Sequence, residues 1–84
     1  VSCRRGGASA AFDRLNKYFT ICNMPVVSSK YWNSVHGNTP KEVEQDLEGL
    51  QVMRTLANNM AWMLNGLTQP TPQREAPQRT NFIR

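Results

Sequence analysis

The chain has 84 residues, of which 39% are hydrophobic and 19% charged, and its formal net charge is +4. This composition is ordinary for a globular protein and argues against wholesale disorder, while the length allows at most one small domain with a modest core. The sequence contains no signal-peptide pattern and no apolar run of membrane-spanning length, which predicts a cytoplasmic protein with no membrane partner. One histidine, His36, and two cysteines, Cys3 and Cys22, fit no metal-ligand spacing, so we expect free thiols and no metal site.

The first residues predict the end of a strand followed by a glycine turn. "VSC" is short and apolar, and "RRGG" at 4–7 then permits a tight turn before a helical pattern. Backbone N–H groups at such a turn suit an anion or the polar edge of a planar ligand, and two arginines favour an anionic or electron-rich partner. The alternative is a turn that needs glycine only for its backbone angles.

Apolar residues at three- and four-residue steps predict a helix from about Ser9 to Ile21. Asn23 is a suitable left-handed stop for this helix, and Pro25 cannot continue it. The β-branched run from Met24 to Ser28 predicts a second strand, buried on both faces.

The next segment, "SSKYWNSVHGN", is predicted to be a loop that follows this strand. Ligands bind beyond the carboxyl ends of parallel strands, so this loop and "RRGG" are expected to converge at one sheet edge. Tyr31 and Trp32 are suited to flank a flat aromatic ligand there, although such a pair also packs commonly beneath a loop. His36 also has two interpretations: it is either a residue of the site or an exposed, hydrogen-bonded histidine.

A long helix and a polar tail complete the chain. Thr39, Pro40 and Glu42 form a capping box, and apolar spacing continues from Val43 to Leu64, which predicts a single helix closed by Gly66. Residues 67–84 are rich in Pro, Gln, Thr and Arg and cannot build a core, although Phe82 and Ile83 are expected to dock on a surface.

This order predicts an α/β fold with about one and a half parallel strands and two helices in residues 1–66, followed by an extended tail in 67–84. So few strands do not form an independently stable sheet. We therefore expect a piece of a larger domain, completed by another segment or by assembly of several copies.

Neither a hydrolase nor a phosphoryl-transfer enzyme is indicated. The sequence has no paired carboxylates, no Gly-x-Ser-x-Gly and no Walker-type loop, and no catalytic residue is predicted. The basic first half would suit nucleic acid, but no recognition motif accompanies it, so nucleic acid is the weaker interpretation.

Three segments resemble the C-terminal half of flavodoxin-fold NAD(P)H-dependent FMN reductases. They are "VSCRRGGASAAFDRLNKYF", "MPVVSSKYWNSVHGNTPKEVEQDLEGLQVMRTLANNMAWML" and the terminal "TNFIR". The resemblance covers most of residues 1 to 66 and implies a partial flavodoxin-like parallel sheet.

The same resemblance implies a site for FMN, with NAD(P)H as co-substrate. The loop after the fourth strand of the family, which lies against the flavin ring, would be Ser2, Cys3, Arg4, Arg5, Gly6 and Gly7. Tyr31, Trp32 and His36 would belong to the loop after the fifth strand. In the family, hydride passes from the nicotinamide through FMN to a small acceptor such as a quinone or free flavin, and the protein supplies position and electrostatics.

The family's loop for the FMN phosphate, of the G-S-P-R-x-x-G-N-T kind, is not among these residues. Tight FMN binding is therefore expected to need the missing N-terminal half. The alternative function is a non-catalytic assembly module, in which the long helix and the terminal "NFIR" drive homo-oligomerisation.

Overall fold

The core of the fold is a minimal parallel strand pair with helices packed on it. The computed structural model describes residues 2–3 and 6–80, with the backbone alone described for Ser2. The elements are β1 (Ser2–Cys3), α1 (Ala8–Ile21), β2 (Ser34–Val35), α2 (Pro40–Gln45) and α3 (Leu47–Gly66). Residues 67–80 form neither helix nor strand, and the docking predicted for Phe82 and Ile83 lies outside the described residues. The chain is thus a small mixed α/β unit.

β1 and β2 pair in parallel, with Ser2 opposite Ser34 and Cys3 opposite Val35. Since α1 lies between them in the sequence, β1, α1 and β2 form a β-α-β unit. α1 contacts both strands, and α3 packs on β2. The prediction of an α/β arrangement is confirmed at this level.

The boundaries of α1 follow the local signals. The helix ends at Ile21, and Asn23 then adopts a left-handed conformation with φ of 57°, as predicted. Backbone N–H groups beyond the helix are paired, because Asn23 N donates to the Thr20 carbonyl and Met24 N donates to the Phe19 carbonyl.

The predicted strand at 24–28 is wrong, because residues 24–29 form no strand and the partner of β1 is Ser34–Val35. Pro25 has no N–H for a ladder. Side-chain amides hold this segment instead. Asn33 Nδ2 donates to the Val27 carbonyl at 3.0 Å, and Asn59 Nδ2 on α3 donates to the Ser28 carbonyl at 2.9 Å.

The predicted single helix from Pro40 is also wrong, because it divides at Asp46 into α2 and α3. The Asp46 carboxylate accepts a hydrogen bond from Gly49 N and so caps a new helix. The cap predicted at Thr39 is confirmed, since its hydroxyl accepts from Glu42 N at 3.3 Å.

The break changes which face of α3 is buried. Leu47 lies within the apolar spacing predicted from Val43 to Leu64, but that residue is 75% exposed, whereas Val52 and Leu56 are buried. A close approach at Gly49 sets this orientation, since an added Cβ would lie 3.1 Å from the Val35 Cα. Within residues 2–3 and 6–80, the buried apolar side chains are those of Ala8, Val35, Val52 and Leu56.

Candidate ligand-binding edge

The carboxyl ends of the two strands meet at one edge, which we call the carboxyl edge. The register places Cys3 beside Val35, so the chain leaves both strands at the same side. The glycine turn at 6–7 follows β1, and His36 follows β2. The glycine turn and His36 therefore share this edge, although the strand from which a convergence was predicted, at 24–28, is not formed. Arg4 and Arg5, which were also assigned to this site, lie outside the described residues.

The two glycines of the turn differ in what they require. Gly7 is the N-cap of α1 and has φ of 75°, a left-handed conformation that disfavours any residue with a Cβ. Gly6 has open space on the side of the described residues, because an added Cβ would meet none of their atoms within 4 Å. The backbone conformation at position 7 therefore explains why the residue there is glycine. At position 6, the lack of a side chain leaves the approach to the turn open.

His36 is held at the carboxyl edge by Asp46. The backbone N–H of His36 donates to Asp46 Oδ2 at 2.7 Å, and His36 Nδ1 lies 3.5 Å from the same oxygen. The other carboxylate oxygen, Oδ1, accepts from Gly49 N at 2.9 Å. One carboxylate therefore joins the residue after β2 to the start of α3.

These contacts lower the pKa of Asp46 below its ordinary value of 3.8. The hydrogen bond from Gly49 N is the largest cause, and the hydrogen bond from His36 N is the next; both stabilise the ionised carboxylate. Desolvation opposes the effect, and attraction to the His36 imidazole adds to it. The local chemistry therefore favours a permanently negative Asp46 at neutral pH.

A cleft of about 240 Å³ lies beside His36 and Asp46. Its lining residues are Tyr31, Ser34, His36, Asp46, Glu48, Gly49 and Val52. Small-molecule sites usually measure roughly 300–1,000 Å³, so this cleft would hold only part of a ligand the size of FMN. The acidic side chains in its wall, Asp46 and Glu48, would repel a phosphate.

Tyr31 and Trp32 were predicted to follow a strand. In the structure they precede one. Because the strand is at Ser34–Val35, the two aromatic residues are on the amino side of β2. Tyr31 nevertheless reaches the cleft that contains His36. Trp32 lies in a second, mostly apolar cleft of about 350 Å³, which is lined by Phe12 and the segment 26–33 and so shares Tyr31 with the first cleft.

The aromatic rings in this second cleft pack on one another. The centroids of Trp32 and Phe12 are 6.1 Å apart, and those of Trp32 and Tyr31 are 5.8 Å apart, with tilts of 43° and 44°. These are ordinary distances for aromatic pairs. Trp32 therefore packs against neighbouring aromatic rings, as the alternative interpretation of this residue expected, although 52% of it stays exposed.

Asn33 and Asp46 were not predicted from the sequence. Asn33 is buried, donates to the Val27 carbonyl and accepts from the Ser29 hydroxyl at 2.6 Å, so it closes the segment between α1 and β2. A capping signal was present at Asp46, since Asp is a preferred N-cap residue, but it lies within a continuous apolar spacing that predicted one uninterrupted helix.

Cys3 and Cys22 are free and exposed. Over residues 2–3 and 6–80, no group of three His, Cys, Asp or Glu side chains is placed to hold a metal ion. In the same part of the chain, no helix combines the length and hydropathy needed to cross a membrane.

No protein-family model, curated protein or solved structure matches the chain. Function is accordingly inferred from the residues and from the geometry of the carboxyl edge.

Proposed function

We propose that the chain is the C-terminal part of a cytoplasmic, flavodoxin-like FMN-dependent oxidoreductase. The complete protein would transfer hydride from NAD(P)H through FMN to a small acceptor such as a quinone or free flavin. The sequence resemblance suggests this chemistry, and the arrangement at the carboxyl edge supports it.

The observation that carries the proposal is the parallel pairing of β1 with β2. It brings the glycine turn and His36 to the same side of the strand pair. In open parallel α/β sheets, ligands bind beyond the carboxyl ends of the strands. Any further strands added beside this pair would extend the same edge.

The described residues suit the flavin ring of FMN better than its phosphate. The open turn at Gly6 and Gly7 would admit a planar ring close to the backbone, and His36, which Asp46 holds, follows the neighbouring strand at the same edge. The cleft walls, with Asp46 and Glu48, do not suit the phosphate. The phosphate would therefore be held by the other half of the domain. When bound, FMN would supply the hydride-transfer chemistry.

Fluorescence titration tests the proposal. FMN is titrated with this chain, with a separately expressed polypeptide carrying the first three strands and phosphate loop of a flavodoxin-like reductase, and with both together. We expect saturable quenching of flavin fluorescence only when both polypeptides are present. If the pair associates but leaves FMN fluorescence unchanged, the proposal is wrong.

A matched pair of variants locates the flavin. Gly6→Val adds bulk to the turn where an added Cβ meets nothing, so the chain itself should fold normally. Gly66→Val makes the same change at the end of α3, which also has open space. Gly6→Val should weaken FMN binding at least tenfold, and Gly66→Val should not. Equal affinities would show that the flavin does not lie on the turn.

A second candidate, an assembly module, is favoured by the exposure of apolar side chains. Four apolar side chains are buried among the described residues, while 13 large ones are exposed. Sedimentation velocity over a range of concentrations tests this candidate, and a folded monomer at every concentration would exclude it.

A further inference from the structure

The cleft beside His36 combines negative charge with a buried hydroxyl group. It has a volume of about 240 Å³, and its polar lining residues are Tyr31, Ser34, His36, Asp46 and Glu48. We call it the acidic cleft. Its two carboxylates come from the start of α3, where Asp46 is the N-cap and Glu48 lies in the first turn.

The hydroxyl of Ser34 points to a ligand in the acidic cleft. Ser34 is only 7% exposed, and its backbone N–H donates to the Trp32 carbonyl at 2.7 Å. The hydroxyl makes no hydrogen bond to any described residue. Among those residues, no side-chain oxygen or nitrogen is both sealed from solvent and without a partner, so this hydroxyl keeps accessible surface in the cleft that Ser34 lines. Its two lone pairs are therefore available to a hydrogen-bond donor that enters the cleft.

The carboxylates give the cleft a charge that the described residues neutralise only in part. Folding lowers the pKa of Asp46, which keeps it ionised at neutral pH, and His36 Nδ1 lies 3.5 Å from one of its oxygens. Within residues 2–3 and 6–80, Glu48 makes no ion pair and no side-chain hydrogen bond. The helix dipole of α3 stabilises an acidic residue in its first turn, but it does not explain the unpartnered hydroxyl in the same cleft.

The size and the lining of the acidic cleft select the class of ligand. At about 30 Å³ per water molecule, 240 Å³ corresponds to roughly eight waters, which is room for a small organic group. A metal ion fits less well, because the described residues include no group of three His, Cys, Asp or Glu side chains placed to hold one. The ring of Tyr31, a residue that is 61% exposed, can attract a cation through its face. A planar organic cation with several N–H donors satisfies the charge, the hydroxyl and the ring together.

We propose that the acidic cleft binds the guanidinium or amidinium group of a small molecule. The Ser34 hydroxyl and the Glu48 carboxylate accept its N–H groups, and the Asp46 carboxylate adds negative charge. Such a group presents its donors in a rigid planar fork that matches a carboxylate. The chain as a whole has a net charge of +4, so a cation is attracted by this cleft and not by the overall charge. The inference does not depend on FMN or on the proposed function.

Titration of the full chain, labelled with nitrogen-15, with benzamidine tests the proposal. Benzamide is the control, because it is a neutral molecule of nearly the same shape. We expect the amide signals of His36 and Gly49 to move with saturation on addition of benzamidine, while the indole signal of Trp62 does not. Benzamide should bind about tenfold more weakly, because its hydrogen bonds to the carboxylates are not assisted by charge.

Two variants locate the cation. Ser34→Ala removes the buried hydroxyl, and Glu48→Gln removes the unpaired charge at an exposed position. Each should raise the Kd for benzamidine roughly fivefold, as the loss of one hydrogen bond predicts. Glu44→Gln is the matched control, because Glu44 is exposed on α2, does not line the cleft and changes the net charge equally. Circular dichroism confirms that each variant keeps its helices, and Glu48→Gln tests the site even if Ser34→Ala does not fold.

The outcomes separate a specific site from general attraction of cations. Equal binding of benzamidine and benzamide, or equal effects of Glu48→Gln and Glu44→Gln, would overturn the proposal. A short peptide that contains one arginine and has blocked ends is the last probe. Binding of this peptide that is much tighter than that of benzamidine would assign the cleft to a protein partner and overturn the small-molecule ligand. None of these measurements contains FMN, so this inference and the proposed function fail independently.

Discussion

Replacing Asp46 by alanine should destabilise the chain strongly, even though this residue lies near the surface. The carboxylate is 18% exposed and makes two backbone hydrogen bonds, one to Gly49 N and one to His36 N. These bonds join the end of β2 to the start of α3. Asp46→Ala removes both and leaves α3 without its N-cap.

The expected cost follows from the two bonds. Loss of an N-cap costs about 1 kcal/mol, and loss of a hydrogen bond to a charged acceptor costs about 1.5–3 kcal/mol in a protected site. Water will replace part of the second bond because His36 is exposed, so the total should be about 2–3 kcal/mol. For a chain of this length, that corresponds to a fall in Tm of roughly 10–20 °C.

Thermal unfolding followed by circular dichroism measures this cost, with all proteins at one concentration so that assembly affects them equally. Asp13→Ala is the control, because Asp13 is exposed on α1 and makes no hydrogen bond or ion pair within the described residues. Asp46→Asn keeps a capping oxygen and should lose only about 1 kcal/mol. Equal Tm values for Asp46→Ala and Asp13→Ala would refute the role assigned to Asp46.

The pH dependence gives a second readout of the same residue. Because folding lowers the pKa of Asp46 below 3.8, the unfolded chain binds the proton more readily than the folded chain. The stabilisation is therefore complete above pH 3.8 and is lost as the pH falls through the lowered pKa. Asp46→Asn should show a smaller loss of stability in that acidic range than the wild-type chain.

Two glycine substitutions should also reduce stability, each against a control at an open position. Gly7→Ala should cost about 1–2 kcal/mol in urea unfolding because φ is 75°, while Gly6→Ala should change stability little; equal effects would contradict the left-handed turn. Gly37→Ala should cost about 1–3 kcal/mol, because its Cβ would lie 2.7 Å from Val43 N, whereas Gly66→Ala should stabilise by about 0.5–1 kcal/mol. An unchanged midpoint for Gly37→Ala would show that this contact relaxes freely.

The helix boundaries and the turn that were predicted correctly are marked by residues that lie next to them in the sequence. The end of α1 is marked by Asn23 and Pro25, and the start of α2 by Thr39 and Pro40, all within a few residues of the boundary. The glycine turn between a strand and a helix was likewise predicted from the sequence, and Gly7 in that turn has a left-handed conformation. Such boundaries depend on backbone angles and caps that the neighbouring residues determine.

The elements predicted wrongly depend on distant contacts. Val26 and Val27 have a higher strand propensity than Ser34, but pairing with β1 selects Ser34–Val35. The break at Asp46 also involves a partner ten residues away, because the Asp46 carboxylate that caps α3 accepts a second hydrogen bond from His36 N. Because the second strand was predicted at 24–28 and not at Ser34–Val35, Tyr31 and Trp32 were expected after the strand and not before it.

The central claim is that the carboxyl edge receives the flavin, and amide chemical shifts test it most directly. The chain is labelled with nitrogen-15, combined with the unlabelled complementing half and titrated with FMN. We expect the amide signals of Gly6, Gly7 and His36 to move with saturation, while the indole signal of Trp62 does not. Shifts confined to Trp32 and its neighbours, or no shifts at all, would contradict the claim.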